Sequence, residues 1–477
     1  MNRKHSLLAT GLAALLVLSG CAGAPEEPVA EADRAADVAV PEPEETPAEP
    51  ERTPPPWQVL PSVSPVEDCK VLDGQPEELR QMREGYSSQA GTRARGNVGF
   101  PLSPVSLPVE DEANLIVAMV SFDDAPRSDL TPEGFLRPQL EKMTEWSEFF
   151  SQGSFRYTFQ LVDEWVNIPV NHADYPVKPR EDQQTSRANA YELSRMISAA
   201  LPDDLDWERA DGILIYWSPG VDSLHGDVGL QGNEGKPLPT PLGERDLFFW
   251  SGNKWHYEDS GPMTKELKAE HTWSFWIYLM LDSQGLHNHG PGNGWPNGPQ
   301  QLQVPNPQFS GNILAWDAFK LGWIRDSQVD CVVPEDLAEE HQVILTPGEI
   351  YGGERKVLVV PVSSSNVVVV ESRRPIGYSE LWDDRNSGLL AYSVNPEIEE
   401  INFWTQGGCG DSPEQPKWAY HLYPDSFDPN KADCRDFSNA FIREGDTLTL
   451  EGVTLTLEFS GPDGDYVSLS ASPETQE

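Results

Sequence analysis

The chain has 477 residues, a formal net charge of −43, and 77 acidic against 34 basic residues. Such a length leaves room for two or three sizeable cores. A surface this acidic repels phosphate backbones and anionic headgroups, which excludes a nucleic-acid partner; acidity by itself carries no catalytic meaning.

The N-terminus carries Arg3, Lys4 and His5, then an apolar run over residues 7–18 that ends in Leu18-Ser19-Gly20-Cys21. That run is too short to span a bilayer and fits a signal peptide over residues 1–20. Leu-Ser-Gly-Cys resembles the bacterial lipobox, which implies cleavage before Cys21 and a diacylglycerol on its sulfur; an ordinary cleaved signal is the alternative. Two or more acyl chains hold a protein on a membrane without spanning it. The expected location is therefore the cell membrane, lipid-anchored on its extracytoplasmic face. Residues 21–66 are dominated by Pro, Glu and Ala and read as a disordered tether. Of five cysteines, Cys69, Cys331, Cys409 and Cys434 remain for two disulfides in an exported chain. Three pairings exist. The favoured one joins Cys409 to Cys434 within the last domain and Cys69 to Cys331 across the first. No cysteine pair has zinc-binding spacing.

The folded part starts near Cys69, with a short helix-like stretch at 75–86. The continuous apolar run NLIVAMVSF, 114–122, predicts a buried strand. Residues 131–151 have helical spacing with Pro132 just inside the start. SFRYTFQLVDEW, 154–165, alternates like a strand with one exposed face. Residues 185–200 predict a second amphipathic helix, and DGILIYW, 211–217, another buried strand. The alternation argues for a mixed α/β domain over 67–335. Residues 263–284 predict a helix closed by Gly285, 290–307 an irregular Gly/Pro/Asn loop, and 313–324 a short helix. From 342 onward the texture changes to short strands at 342–345, 356–362, 366–371, 388–394, 447–450, 453–459 and 466–469, a β-sandwich pattern over 340–477. The expected class is α+β.

Four stretches in order resemble secreted metallopeptidases of the immune-inhibitor-A type. They are LIVAMVSFDD (115–124), FFSQGSFRYTFQLVDEWVNIP (149–169), AWDAFKLGWIRDSQVDC (315–331) and VVVVESRRPIGYSELWDDRNSGLLAYSVN (367–395). The resemblance implies a zincin-like, zinc-dependent endopeptidase domain with an active-site helix, followed by a β-sandwich.

The segment WSFWIYLMLDSQGLHNHGPGNG, 273–294, stands where that helix belongs. A zinc peptidase of this type needs H-E-x-x-H-x-x-G-x-x-H: two histidines four apart to ligate the metal, and a glutamate to take a proton from metal-bound water. In the register set by Gly285, Tyr278 replaces the first histidine, Leu279 the glutamate and Asp282 the second histidine. His287 and His289 flank the third ligand position, Asn288. A register starting at His271 also lacks the glutamate and second histidine, and Leu267 spoils an inverted motif ending in Glu270-His271. No register gives an intact site, so the expectation is a pseudoenzyme that binds a peptide, glycan or cell-envelope ligand. The alternative is an atypical zinc endopeptidase using Asp282, His287 and His289, with a base from Glu258, Glu266 or Glu270. A third reading is an adhesin whose contacts lie on the β-sandwich.

Calcium is the other cofactor to consider, at Asp123-Asp124 or Asp383-Asp384, although 77 acidic residues make chance pairs common. Glu371, Arg373 and Arg374 read as a structural ion-pair cluster, and His225 and His256 as bystanders. Trp250, Trp255, Trp273, Trp276 and Trp295 offer a binding groove, but Trp273 and Trp276 fit a core. Ser274 and Ser283 lack a nucleophile-elbow context.

Overall fold

The run DEANLIVAMVSF forms strand β1 (Asp111–Phe122), and from Ala113 onward every residue of it is buried. A strand apolar on both faces needs a layer on each side, as parallel sheets have. In the computed structural model, residues 57, 60–72, 98–102, 107–177, 183–218, 221, 236–251, 272–286, 311–397, 419–428 and 436–472 are described. Pro54–Glu477 is one compact unit.

Strands β2 (Phe155–Leu161) and β3 (Val166–Ile168) lie along one edge of β1, and β4 (Gly212–Trp217) along the other. After a short hairpin, β5 (Leu238–Thr240) with β6 (Gly243–Arg245), strand β7 (Phe248–Ser251) pairs with β4. All pairs in the five-stranded sheet are parallel. Helix α1 (Arg137–Phe150) connects β1 to β2, and α2 (Gln183–Ala200) connects β3 to β4. A π-helical turn, Pro132–Leu136, leads into α1, and Thr131 Oγ1 accepts the N–H of Gly134 at 3.1 Å. The two-residue period of the strands sorts side chains between two cores. Leu115, Val117, Met119, Leu214 and Tyr216 join Leu140, Met143 and Trp146 of α1 in one core. Ile116, Ala118, Val120, Ile213 and Ile215 join Leu193 and Ile197 of α2 in the other.

Two further helices, α3 (Thr272–Ser283) and α4 (Ala315–Lys320), also pack into the first core. The helix expected over 313–324 is thus a shorter one. Its stop is Gly322, at φ 76, where Trp323 N donates to Ala318 O (2.9 Å) and Gly322 N to Phe319 O (3.0 Å). That is a Schellman closure, and it needs the glycine.

The remaining strands are β8 (Val329–Cys331), β9 (His341–Leu345), β10 (Val357–Pro361), β11 (Val367–Arg373), β12 (Gly388–Val394), β13 (Ala419–His421), β14 (Phe441–Ile442), β15 (Thr447–Leu450), β16 (Val453–Ser460) and β17 (Asp465–Ala471). One sheet runs β13-β12-β11-β10-β8 with β14 beside β12, and another β15-β16-β17-β9. Both are antiparallel except for the parallel pair β8–β10. Leu358, Val360, Val368 and Val370 share a third core with Val343, Leu455, Val467 and Leu469 of the other sheet. Val357, Val359, Val367 and Val369 point the opposite way, into the core of α1, α3 and α4. The class is α+β.

The outer edges of β8 and β15 are covered. Ser64 N donates to Cys331 O (2.9 Å), Ser62 Oγ accepts from Cys331 N (2.7 Å), and Cys69 is disulfide-bonded to Cys331. On β15, Thr449 N donates to Asp425 Oδ1 at 3.0 Å and Asp425 N donates to Thr447 O at 2.8 Å. Cys21, Cys409 and Cys434 lie outside the described residues. Among those residues, no helix is long and apolar enough to cross a membrane.

Candidate functional site

Helix α3 buries Trp273, Trp276, Ile277, Met280 and Leu281, the i, i+3, i+4, i+7, i+8 stripe of a core-facing helix. Positions 278 and 282 lie four residues apart within the same helix. Positions 278 and 282 are therefore one turn apart, about 6 Å along the axis. The side chains of Tyr278, Leu279 and Asp282 lie outside the described residues. So do all of His225, His256, His271, His287 and His289, Trp255 and Trp295, and the expected base candidates Glu258, Glu266 and Glu270.

The described surroundings hold α3 at both ends. Gln139 of α1 accepts the backbone N–H of Trp273 through Oε1 at 3.1 Å, satisfying a first-turn donor. At the other end Leu286 N donates to Leu281 O at 3.2 Å, with Gly285 at φ 95, so the glycine closes the helix in a left-handed cap. Between them Gln284, fully buried, accepts from Tyr157 Oη (2.6 Å) and donates to Pro108 O (2.6 Å). Burial pushes the Tyr157 phenol well above its usual pKa, which keeps it a donor. Gly285→Ala is expected to lower stability by about 1–2 kcal/mol, the cost of a left-handed residue with a Cβ. Urea unfolding checks it, and an unchanged midpoint would remove the cap from the account.

Zinc is tested by the donor set these positions offer: one phenol, one alkyl group and one carboxylate. Neutral tyrosine is a poor ligand and leucine none, so the three motif positions alone do not supply the ligands of the H-E-x-x-H pattern; the side chains of the expected set, Asp282, His287 and His289, lie outside the described residues. Among the described residues, which do not include those candidates, no group of three or more His, Cys, Asp or Glu is placed to hold a metal.

One carboxylate of each expected acidic pair is bound by protein groups. Asp124 accepts the backbone N–H of His172 (2.8 Å) and Ala173 (3.2 Å), and its carboxylate lies 2.7 Å from His172 Nδ1. Burial raises its pKa, but these donors outweigh that and hold it at about 2. Asp383 is bound by Arg385, which also reaches Asp436 at 3.0 Å. Hydrogen bonds from Arg385 hold the Asp383 carboxyl below its usual range.

The Glu371–Arg373–Arg374 stretch forms a buried network. Arg373 Nη2 lies 3.1 Å from Glu371 and donates to Ile313 O at 2.6 Å, while Nη1 lies 3.3 Å from Glu349. Glu371 accepts from Ala315 N (2.9 Å), the first residue of α4. Arg374 grips Asp465 with both terminal nitrogens, at 2.6 and 3.1 Å. Trp250, Trp273 and Trp276 are core residues, and Ser274 and Ser283 are buried on α3.

Sequence reasoning missed Gln139, Tyr157 and Gln284, three uncharged residues in segments far apart. It also missed Tyr378, whose ring meets Trp273 at 6.0 Å and Phe149 at 5.6 Å, with exposed Tyr351 beyond at 5.7 Å. Searched against protein-family models and curated proteins, the chain matches none.

Proposed function

We propose that the chain is a lipid-anchored extracytoplasmic protein whose zincin-like domain, followed by a β-sandwich, binds a peptide, glycan or envelope ligand without cleaving peptide bonds. The observation that carries this reading is the backbone of α3. It is a helix pinned at both ends and closed by a positive-φ glycine three residues after position 282, as the H-E-x-x-H-x-x-G pattern requires. The same positions carry Tyr278, Leu279 and Asp282. Leu279 has no group that takes a proton, and acid–base catalysis alone contributes about 10²–10⁴-fold to such reactions. The sandwich reading is supported by the alternation of β10 and β11, which fills a core shared between two sheets.

Zinc analysis and a peptide-library cleavage assay on the mature protein test the proposal. Substoichiometric zinc and no chelator-sensitive cleavage are expected. Robust chelator-sensitive cleavage by the unaltered chain would overturn it, and its loss in His287→Ala and His289→Ala would assign the chemistry to those histidines.

A further inference from the structure

The C-terminal turn of α1 meets the starts of β1 and β2 at a cleft of about 270 Å³, whose lining includes Asp111, Glu112, Glu148, Gly153 and Arg156. Arg156 lies 3.4 Å from Glu112 and 3.7 Å from Glu148, and Arg209 also pairs with Glu112. The Asp111 carboxylate has no partner among the described residues. A Cβ built on Gly153 would stand 3.7 Å from Tyr351 Oη, so Tyr351 borders the cleft. Tyr351 is 57% exposed, with Phe149 and then Tyr378 behind it. Their ring centres are 5.7 Å apart from Tyr351 to Phe149 and 5.6 Å from Phe149 to Tyr378, each pair inclined at 55°. Glu145, Glu148 and Phe149 share one face of α1, at i, i+3 and i+4. Burial, and after it the Glu145 charge, pushes the Tyr378 phenol up to about 12, so that ring stays neutral with a carboxylate near it.

We propose that this face binds a basic peptide: Tyr351, backed by Phe149 and Tyr378, takes one lysine or arginine side chain, and the cleft beside it takes the next. Aromatic faces attract cations, and the alkyl stems of Lys and Arg pack on such rings as well. Glu145 stands at the aromatic end, and Asp111 and Glu148 at the cleft end, so both ends favour positive charge. A neutral sugar would stack on the rings but leave those carboxylates without a counter-charge, and an anionic headgroup would be repelled. The chain's −43 draws a basic segment in from a distance. Each contact alone is weak at an exposed position, so recognition needs two or more basic groups on one flexible strand. That requirement favours a peptide over a single amine. The proposal goes beyond the reading above and does not rest on it, because no part of it uses positions 278, 279 or 282. Zinc or cleavage found there would leave it standing, and its own failure would leave the α3 reading standing.

Fluorescence anisotropy of the mature chain with a labelled peptide of four Lys-Gly repeats tests this, beside a Gln-Gly peptide of equal length and a neutral N-acetylglucosamine tetramer. Saturable binding of the lysine peptide alone is expected, weakening as sodium chloride screens the charges. Tyr351→Ser changes no charge and is expected to weaken binding about three- to tenfold, while Tyr351→Phe keeps it within about twofold. Glu145→Gln with Glu148→Gln is expected to weaken it by a similar factor, about three- to tenfold. Asp203→Asn with Asp204→Asn removes as much charge from an exposed turn elsewhere and is expected to leave binding within about twofold. No binding by the parent chain, or parent-like binding by either the Tyr351→Ser or the Glu145 and Glu148 variant, would overturn the proposal. Equal weakening by the Asp203 and Asp204 variant would overturn it too, by reducing the effect to general attraction to an acidic surface. Preference for the sugar or the neutral peptide would do the same. Should Tyr351→Ser fail to fold by circular dichroism, the Glu145 and Glu148 variant decides alone, since both its positions are exposed on α1.

Discussion

Arg373→Met is expected to destabilise the fold by about 3–5 kcal/mol, the range for removing one partner of a buried ion cluster. Arg373 has no exposed side-chain surface, and its guanidinium stands between Glu349 and Glu371, themselves almost fully buried. Methionine fills much of the volume but leaves the carboxylates without their cation. Burial already pushes the Glu371 carboxyl above its usual pKa, and losing Arg373 pushes it further. A group whose folded pKa is raised gives its full stability below the unfolded pKa and loses it as pH rises through the folded value. The deficit against the parent chain therefore grows as pH rises above the ordinary carboxylate range and shrinks as pH falls back into it. Urea unfolding at several pH values measures this. A deficit independent of pH, or below about 1 kcal/mol, would mean the cluster relaxes into solvent when broken.

Trp146→Ala should cost a similar amount, about 3–5 kcal/mol, from lost burial and the cavity left behind. Trp146 is fully buried and meets Phe150 at 5.1 Å and Trp323 at 5.7 Å. Its Nε1 donates to Gly311 O at 2.6 Å, so alanine also strands a buried carbonyl. Trp146→Phe keeps a ring and loses only the donor, so its deficit should be smaller by about half or more. Because the core holding Trp146 also receives Val359 and Val369, the alanine variant should still unfold in one transition. Two resolved transitions in circular dichroism, or a deficit under about 1 kcal/mol, would contradict a core shared between the helices and the sheet.

Where one local signal was sufficient, the fold was legible in the sequence. The unbroken apolar run of β1, the helical spacing of α1 and α2, and the valine runs of β10 and β11 each declare their element without tertiary help. Gly285 was legible too, since a glycine after an apolar helical run is a stop signal. Gly322 carried the same signal inside LGWI, but the apolar residues around it masked the stop. Strands β5, β6, β7, β8, β13 and β14 were missed because they have two to four residues each, too few for a period. The supports of α3 were illegible for another reason. Gln139 meets Trp273, and Tyr157 meets Gln284, only in the folded chain, and no spacing links either pair. Glu349 likewise reaches Arg373 across 24 residues, so Glu371 and Arg373 were visible as a pair while their second carboxylate was not.

Asp425 and the Ser62–Ser64 stretch have a consequence for crowding. A sheet edge with open N–H and C=O groups is a template for pairing with another chain, and stacking of copies begins there. Asp425 takes the Thr449 N–H and gives its own to Thr447, while Ser64 occupies the Cys331 carbonyl. At those two edges an incoming strand would have to displace bonds already made. Copies packed side by side, each carrying −43 at neutral pH, then meet repulsion at long range and blocked edges at short range. High local concentration should leave such a protein as separate molecules where an open-edged sheet would aggregate.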